Sequence, residues 1–362
     1  MKRIVISAVN LVDGGTFSIL NDLVHSISFS KECHYYILVH SKKLFEGHAL
    51  ASNISLLEYP DIKSSWLKRI YFEYFQVKKL AVELKADFWL SLHDISPKLP
   101  KGVQSAVYCH NPTPFAEKRL IDILYDPKYF LFTIFYRALY KINISSNKYV
   151  FVQQQWIADE FSKFVPREKI IVTKPGVVLE RNKKVNSLDT STFFFPSYAR
   201  PFKNFEVLLE AVSILEKKRV SNFRVYVTID GTENLYTKRL IDKYHRLSSV
   251  TFLGRVSREK VASIFEEAGT LVFPSKLETW GLPISEAKEF SLSLLVADLP
   301  YAKETVGNYD KVSFFSPNDP SKLASLMLDT IKGEIKYEGN AYVMEKFYTV
   351  GGWESFIDLV KK

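Results

Sequence analysis

The stretch FPSKLETWGLPISE, Phe273 to Glu286, decides how this chain of 362 residues is read. An apolar run at 270–273 leads into it as a strand. Gly281 lets backbone come close to a ligand, and Pro283 suits the first position of a helix running on through 284–290. A helix that starts beside the carboxyl end of a strand gathers free N–H groups and a positive dipole end, a ready seat for a diphosphate. Thr279 and Ser285 add hydroxyls, and Leu282 continues the turn. Glu278 precedes the turn and Glu286 stands on the first helical turn, so one can face a sugar while the other accepts from a ribose diol. Spacing alone leaves other readings open: a structural loop, or the paired carboxyl groups of a retaining glycosidase.

Outward from this stretch, short β-branched runs alternate with longer amphipathic segments, the pattern of strands and crossover helices in parallel-sheet domains. Strands are expected at 3–8, 35–40, 53–57, 88–92, 105–109 and 149–152, then at 192–195, 223–229, 250–253, 270–273 and 293–296. The polar run RNKKVNSLDTS (181–191) reads as a linker between them. The expected fold is α/β, two Rossmann-like domains facing a central cleft, one at 1–180 and one at 192–344, followed by a terminal amphipathic helix within 345–362. In such sheets ligands bind at the carboxyl ends of the strands.

Hydrophobic residues at 47% and charged residues at 25% describe a globular chain. Cys33 and Cys109 are the two cysteines, far apart and without partners at metal-ligand spacing, so no metal site is expected and both read as free thiols. The opening apolar run ends at Asn10, too short for a convincing signal peptide, and no segment approaches a membrane span. The expected location is cytoplasmic, peripheral at the inner face of the cell membrane. The net charge of +9 admits nucleic acid, an anionic membrane surface or a phosphorylated small molecule. No zinc-finger spacing, RNP-like motif or basic arm supports nucleic acid. Two basic aromatic segments stand out, WLKRIYFEYFQVKKLAVELK (66–85) and YDPKYFLFTIFYRALYKIN (125–143). Each reads either as a core-facing helix with a solvated basic face or as an interfacial surface for anionic headgroups.

In FPSYARPFKNFEVLLEAV (195–212) a strand meets a short basic loop and then a helix. Arg200 and Lys203 are placed to neutralise the charge on a departing nucleoside diphosphate. At this point the motifs form an ordered set. Lys203-Asn204-Phe205, Glu278, Gly281-Leu282-Pro283, Glu286 and ADLPYAKETVG (297–307) resemble the donor half of the family-4 glycosyltransferases, of the bacterial polysaccharide-assembly type. The resemblance covers about the last 210 residues, with spot motifs in the first 150. It implies the GT-B fold, a nucleotide-sugar donor, retention of anomeric configuration and no obligatory metal or other cofactor. Carried over, Glu286 would hold the ribose, Glu278 the transferred sugar and Lys203 the diphosphate. Many members carry an arginine about where Ser197 stands; Arg200 is expected to replace that charge.

In the first half, Asp13-Gly14-Gly15-Thr16 follows the first strand and opens a helix near Thr16. Alone it is an ordinary turn, and the resemblance makes Gly14 and Gly15 a glycine loop of the cleft. His93 and His110 each follow an expected strand; His110 resembles the family's active-site histidine. Asp94 is a carboxylate that could orient an acceptor hydroxyl or cap a turn, so His93 and Asp94 are the acceptor-side candidates. The implied function is transfer from a nucleotide sugar, UDP-linked or alternatively GDP- or TDP-linked, to a saccharide acceptor carried on polyprenyl diphosphate, in synthesis of O-antigen, capsule or exopolysaccharide. A sugar-nucleotide epimerase, a phosphorylase and a non-catalytic carbohydrate-binding relative are the rival readings.

Overall fold

The computed structural model describes residues 1–12, 14–115, 127–176, 189–341 and 346–361. The chain divides into two compact units, one of Met1–Pro114, Ile134–Gly176 and Glu345–Lys362, the other of Phe115–Thr133 and Val177–Met344.

The first unit begins with β1 (Lys2–Ser7), β2 (Cys33–Val39), β3 (Ile54–Glu58), β4 (Phe88–Ser91), β5 (Gln104–Cys109), β6 (Tyr149–Val152) and β7 (Ile170–Lys174). The second holds β8 (Asp189–Phe195), β9 (Arg224–Val227), β10 (Val250–Phe252), β11 (Ala268–Phe273), β12 (Ser293–Ala297) and β13 (Val312–Phe315), after which β14 (Thr349–Gly351) rejoins the first sheet. The sheet orders are β14-β7-β6-β5-β4-β1-β2-β3 and β10-β9-β8-β11-β12-β13. Every pairing between these strands is parallel. Both orders reverse once, between β1 and β4 and between β8 and β11, and the strand ends at such a switch point are where a doubly wound sheet binds ligands.

Parallel strands are covered on both faces, which is why β8 can bury Phe193, Phe194 and Phe195 in a row. The eleven expected strands are present, and three more were not foreseen: β7, β13 and β14. β7 sits between lysines in KIIVTK, β13 is four residues long, and β14 is a three-residue edge strand. The first sheet therefore has eight strands rather than the expected six. Of the expected linker, 181–188 lies outside the described residues, and Asp189–Ser191 open β8. The terminal helix Gly352–Lys361 packs on the helix Gly14–Ser28. Its Trp353, Phe356, Ile357 and Val360 join the core with Ile4, Ile6 and Tyr108, and Lys2 Nζ donates to Val360 O and Lys361 O, each at 2.9 Å.

Candidate functional site

In the second unit, the chain leaving β8 and the chain leaving β11 are tied together by their own backbone and side chains. Lys276 N donates to Phe202 O at 2.7 Å. Asn204, held in the left-handed region at φ 61°, donates through Nδ2 to Pro274 O at 3.1 Å and Pro317 O at 2.7 Å. These bonds fix the register of the two loops, and the charged pair follows from them: Lys203 Nζ lies 2.5 Å from Glu278 Oε1, with side-chain exposures of only 14% and 10%. Lys203 also stands over the rings of Phe202 and Phe273 at 5.4 Å and 5.9 Å. An ion pair this dry is costly to create and holds only because both charges are matched.

The loop that carries Glu278 is pinned from behind by the helix Pro300–Val306. Tyr301 Oη donates to Ser275 O at 2.6 Å, and Thr305 Oγ1 donates to Trp280 O. Burial pushes the Tyr301 phenol well above its usual value, with the charge of Glu278 adding to the shift, so the hydroxyl remains a donor. Trp280 Nε1 donates to Ser285 Oγ at 2.9 Å, which commits the Ser285 hydroxyl to the loop's own structure. Gly281 caps the helix Leu282–Glu289 at φ 86°. A Cβ there would sit 3.3 Å from both Ile284 Cδ1 and Phe273 Cε1, so the glycine is needed for a left-handed turn against a packed strand end. Pro283 lies in the first turn, as the sequence suggests.

On that helix Glu286 is 6% exposed. Its Oε1 accepts from Arg258 at 3.2 Å, across from the helix Arg258–Glu267. Burial raises the Glu286 carboxyl pKa, and the Arg258 guanidinium pulls it back down. Ser197 sits after β8 with its backbone N–H donating to Thr228 Oγ1 at 2.8 Å, while its own buried hydroxyl has no hydrogen-bond partner among the described residues. Arg200 is exposed and caps the short 3₁₀ turn Pro201–Lys203. Thr279 and Leu282 lie on either side of Trp280 and Gly281 at the helix start, both partly buried. Arg258, Tyr301 and Thr305 are the residues that sequence reading missed in this unit. The last two lie four apart inside the quoted stretch 297–307, on one face of its helix.

In the first unit, the helix Gly14–Ser28 starts at Gly14, whose φ is 58°, two residues earlier than expected. Gly15 lies in its first turn, and Asp13 is outside the described residues. Asp94 has φ 72°, and its Oδ1 accepts from His110 N at 2.8 Å and Asn111 N at 3.1 Å. The Tyr140 hydroxyl stands 3.1 Å from the same oxygen. Asp94 thus holds the backbone that carries His110. The His110 imidazole is pushed below its usual pKa by burial, against the pull of Asp94, and its Nδ1 makes no hydrogen bond among the described residues. His93, 2% exposed, is locked: Nε2 lies 2.8 Å from Ser7 Oγ and 3.0 Å from Glu73 Oε1. Arg69 donates to His93 O at 2.6 Å. Glu73 is fully buried on a π-helical turn, Phe72–Gln76. Neither Glu73 nor Arg69 was singled out from sequence, because both sit in what reads as an amphipathic basic helix.

Residues 179–342 match the family described as glycosyl transferases group 1. Among curated proteins, the chain is 24% identical over 234 residues to the O-antigen chain mannosyltransferase RfbU of Salmonella typhimurium, covering 61% of this chain and 63% of that protein. It is 26% identical over 135 residues to the O-antigen chain mannosyltransferase B of Escherichia coli, covering 37% of this chain and 35% of that protein. The chain therefore spans less than two thirds of the length of the curated relatives it matches. Among solved structures, WaaG, a glycosyltransferase involved in lipopolysaccharide biosynthesis, superposes with TM-score 0.67 at 15% identity, over 91% of this chain and 90% of that one. Anabaena HepE in complex with UDP-glucose gives TM-score 0.64 at 15% identity, over 92% and 90%. These likenesses establish the fold.

The two bonds from Asn204 predict that Asn204→Ala leaves both carbonyls without their donor and loses about 1–3 kcal/mol of stability. Urea unfolding followed by circular dichroism checks this; a midpoint unchanged from the parent would contradict the role given to Asn204.

Proposed function

We propose, from the match of residues 179–342 to the group 1 glycosyl transferases and the likeness of the fold to GT-B structures, an enzyme that moves a sugar from a nucleoside diphosphate to a saccharide acceptor, with retention and without a metal. The observation that carries this reading is the Lys203–Glu278 pair at 2.5 Å, set at the carboxyl ends of β8 and β11 and followed directly by the helix start at Leu282.

The donor ribose is assigned to Glu286, whose carboxylate accepts from both hydroxyls of a diol. The diphosphate is assigned to Lys203, Arg200, the Ser197 hydroxyl and the N–H groups at Gly281 and Leu282, with Thr279 beside them. Departure of a diphosphate needs positive charge and oriented amides rather than a protonated acid. The bond from C1 to the phosphate oxygen breaks, the acceptor oxygen forms its bond on the same face of C1, and the acceptor proton passes to the leaving phosphate. Glu278, turned towards Lys203 at rest, is assigned to the hydroxyls of the transferred sugar. His110 is assigned to the sugar's reacting face, held by Asp94; Gly14 and Gly15 offer backbone amides on the same side, and His93 keeps its acceptor-side assignment as a support. The relatives named for O-antigen chains and for UDP-glucose support a saccharide acceptor and a UDP-linked donor, and surface-polysaccharide synthesis with a polyprenyl-diphosphate-linked acceptor is the setting proposed.

The direct test supplies UDP-, GDP- and TDP-sugars with a lipid-linked oligosaccharide and reads the new linkage by NMR. A product with the donor's anomeric configuration is expected; an inverted one would sink the mechanism. Lys203→Met is expected to lower kcat by about 10²-fold or more, the scale of a lost group that stabilises developing charge, and a parental kcat would remove Lys203 from the assignment.

The Arg258–Glu286 bond gives a pH prediction. Burial already favours the protonated carboxyl, so Arg258→Met raises the Glu286 pKa further. The carboxylate is then lost as pH falls towards mildly acidic values and regained as pH rises. Titration calorimetry is expected to show nucleoside diphosphate affinity about tenfold weaker for the variant in mildly acidic buffer, the scale of a hydrogen bond to a charged group. The gap should close in alkaline buffer. A loss that is the same at every pH would refute the charge argument.

A further inference from the structure

Arg69 stands half-buried on the short helix Trp66–Tyr71, four residues ahead of the buried Glu73. An arginine and a glutamate at that spacing on a helix are within reach of each other. Here the His93 imidazole lies between them: Arg69 Nη2 is 3.3 Å from Nδ1, and Glu73 Oε1 is 3.0 Å from Nε2. A guanidinium only donates, so Nδ1 is the acceptor and Nε2 carries its proton towards Glu73. The order of cation, neutral ring and carboxylate keeps the two charges matched inside the fold.

The rest of the guanidinium is spent on loops that leave the sheet. With the Asn10 amide oxygen turned to it, Oδ1 accepts from Nε at 2.8 Å and from Nη1 at 2.7 Å. Asn10 follows β1 and lies four residues ahead of Gly14. Nη2 donates at 2.6 Å to His93 O, the carbonyl of the peptide that leads into Asp94. It also reaches the Tyr136 hydroxyl at 3.3 Å, and the Tyr136 ring meets Tyr140 edge-on at 5.5 Å. The Tyr140 hydroxyl stands 2.8 Å from Asn111 O and 3.1 Å from Asp94 Oδ1. Asp94 and Tyr140, the two side chains that hold the backbone at His110 and Asn111, are therefore each reached from Arg69 in two steps.

We propose, on the roles given above to His110 and Asp94, that Arg69 is a positioning residue of the transfer site: its one guanidinium sets the loop after β1 and the loop after β4 against each other and so fixes where the His110 ring stands. Arg69 acts through other residues, because Nε, Nη1 and Nη2 are all turned to acceptors of the protein itself. Its charge reaches the ring as well. Burial is the chief cause that depresses the His110 pKa; Asp94 opposes it, and His93 and the Arg69 guanidinium add to it. Tyr108, Cys109 and Tyr140 beside the ring are held neutral, their pKa values pushed up by burial.

Three variants of the full chain separate geometry from charge. Arg69→Met removes both, Arg69→Lys keeps the charge without the planar fork that bonds two loops at once, and Asn10→Ala cuts only the tie to the loop after β1. With donor and acceptor saturating, all three are expected to lower kcat, Arg69→Met by about 10²-fold, the scale of a misplaced reacting group, while donor KM stays parental. Without the cation the His110 ring takes its proton at higher pH, so the neutral imidazole is lost earlier as pH falls. The acid limb of kcat, and the His110 ring titration followed by NMR, are expected to move to higher pH in Arg69→Met and to keep the parental position in Arg69→Lys and Asn10→Ala. Nucleoside diphosphate affinity is the folding control. A parental kcat in Arg69→Met, or a His110 titration that does not move in it, overturns the proposal; if that variant does not fold, a parental kcat in both of the others does so. The ring titration needs no turnover, so a parent that transfers no sugar refutes the proposed function while the link from Arg69 to His110 is still decided.

Discussion

The second unit is organised around one buried ion pair. Lys203 and Glu278 are 75 residues apart and meet at 2.5 Å with little water around them. Each charge would be expensive there alone, so everything near them serves to keep the pair aligned. Asn204 ties its own loop to Pro274 and Pro317, Lys276 N ties the second loop to Phe202, and Tyr301 and Thr305 brace that second loop from the next helix. A cation fixed in a site of low dielectric before any ligand arrives needs little rearrangement when negative charge develops beside it.

The first unit uses the same edge of its sheet differently. Beside the carboxyl ends of β1 and β4, Ser7, His93 and Glu73 form a buried set, and Asp94 spends one oxygen on the two amides that lead into His110 and Asn111. One carboxylate accepting two backbone N–H groups from a left-handed position is a device for holding a loop in place. The residue it presents is His110, with an unpartnered Nδ1 and a pKa depressed by burial. The imidazole is therefore kept neutral, able to give or take a hydrogen bond.

Sequence reading reached the strand ends and stopped at the partners across them. The helix start at Gly281 to Glu286 was legible because glycine, proline and acid sit in consecutive positions whose roles are local. The Lys203–Glu278 and Arg258–Glu286 pairs were not, since they depend on how far two loops or two helices are brought together by a sheet. Glu73 was hidden for another reason: inside a basic aromatic helix a single glutamate reads as a solvated charge, and only the π-helical turn swings it fully inward. Strands β7, β13 and β14 escaped because lysines flank the first and the others are too short to show a period.

Glu278 and Glu286 also answer the question that their spacing raised. A retaining glycosidase needs two carboxyl groups in different states, one protonated to serve as acid and one charged to serve as nucleophile. Here each carboxylate has a cation of its own, Lys203 for one and Arg258 for the other. The burial that would protonate Glu286 is opposed by a guanidinium bonded to it. Two carboxyl groups, each bonded to a cation of its own, fit the hydroxyl-accepting roles proposed for them better than the unequal pair of a glycosidase.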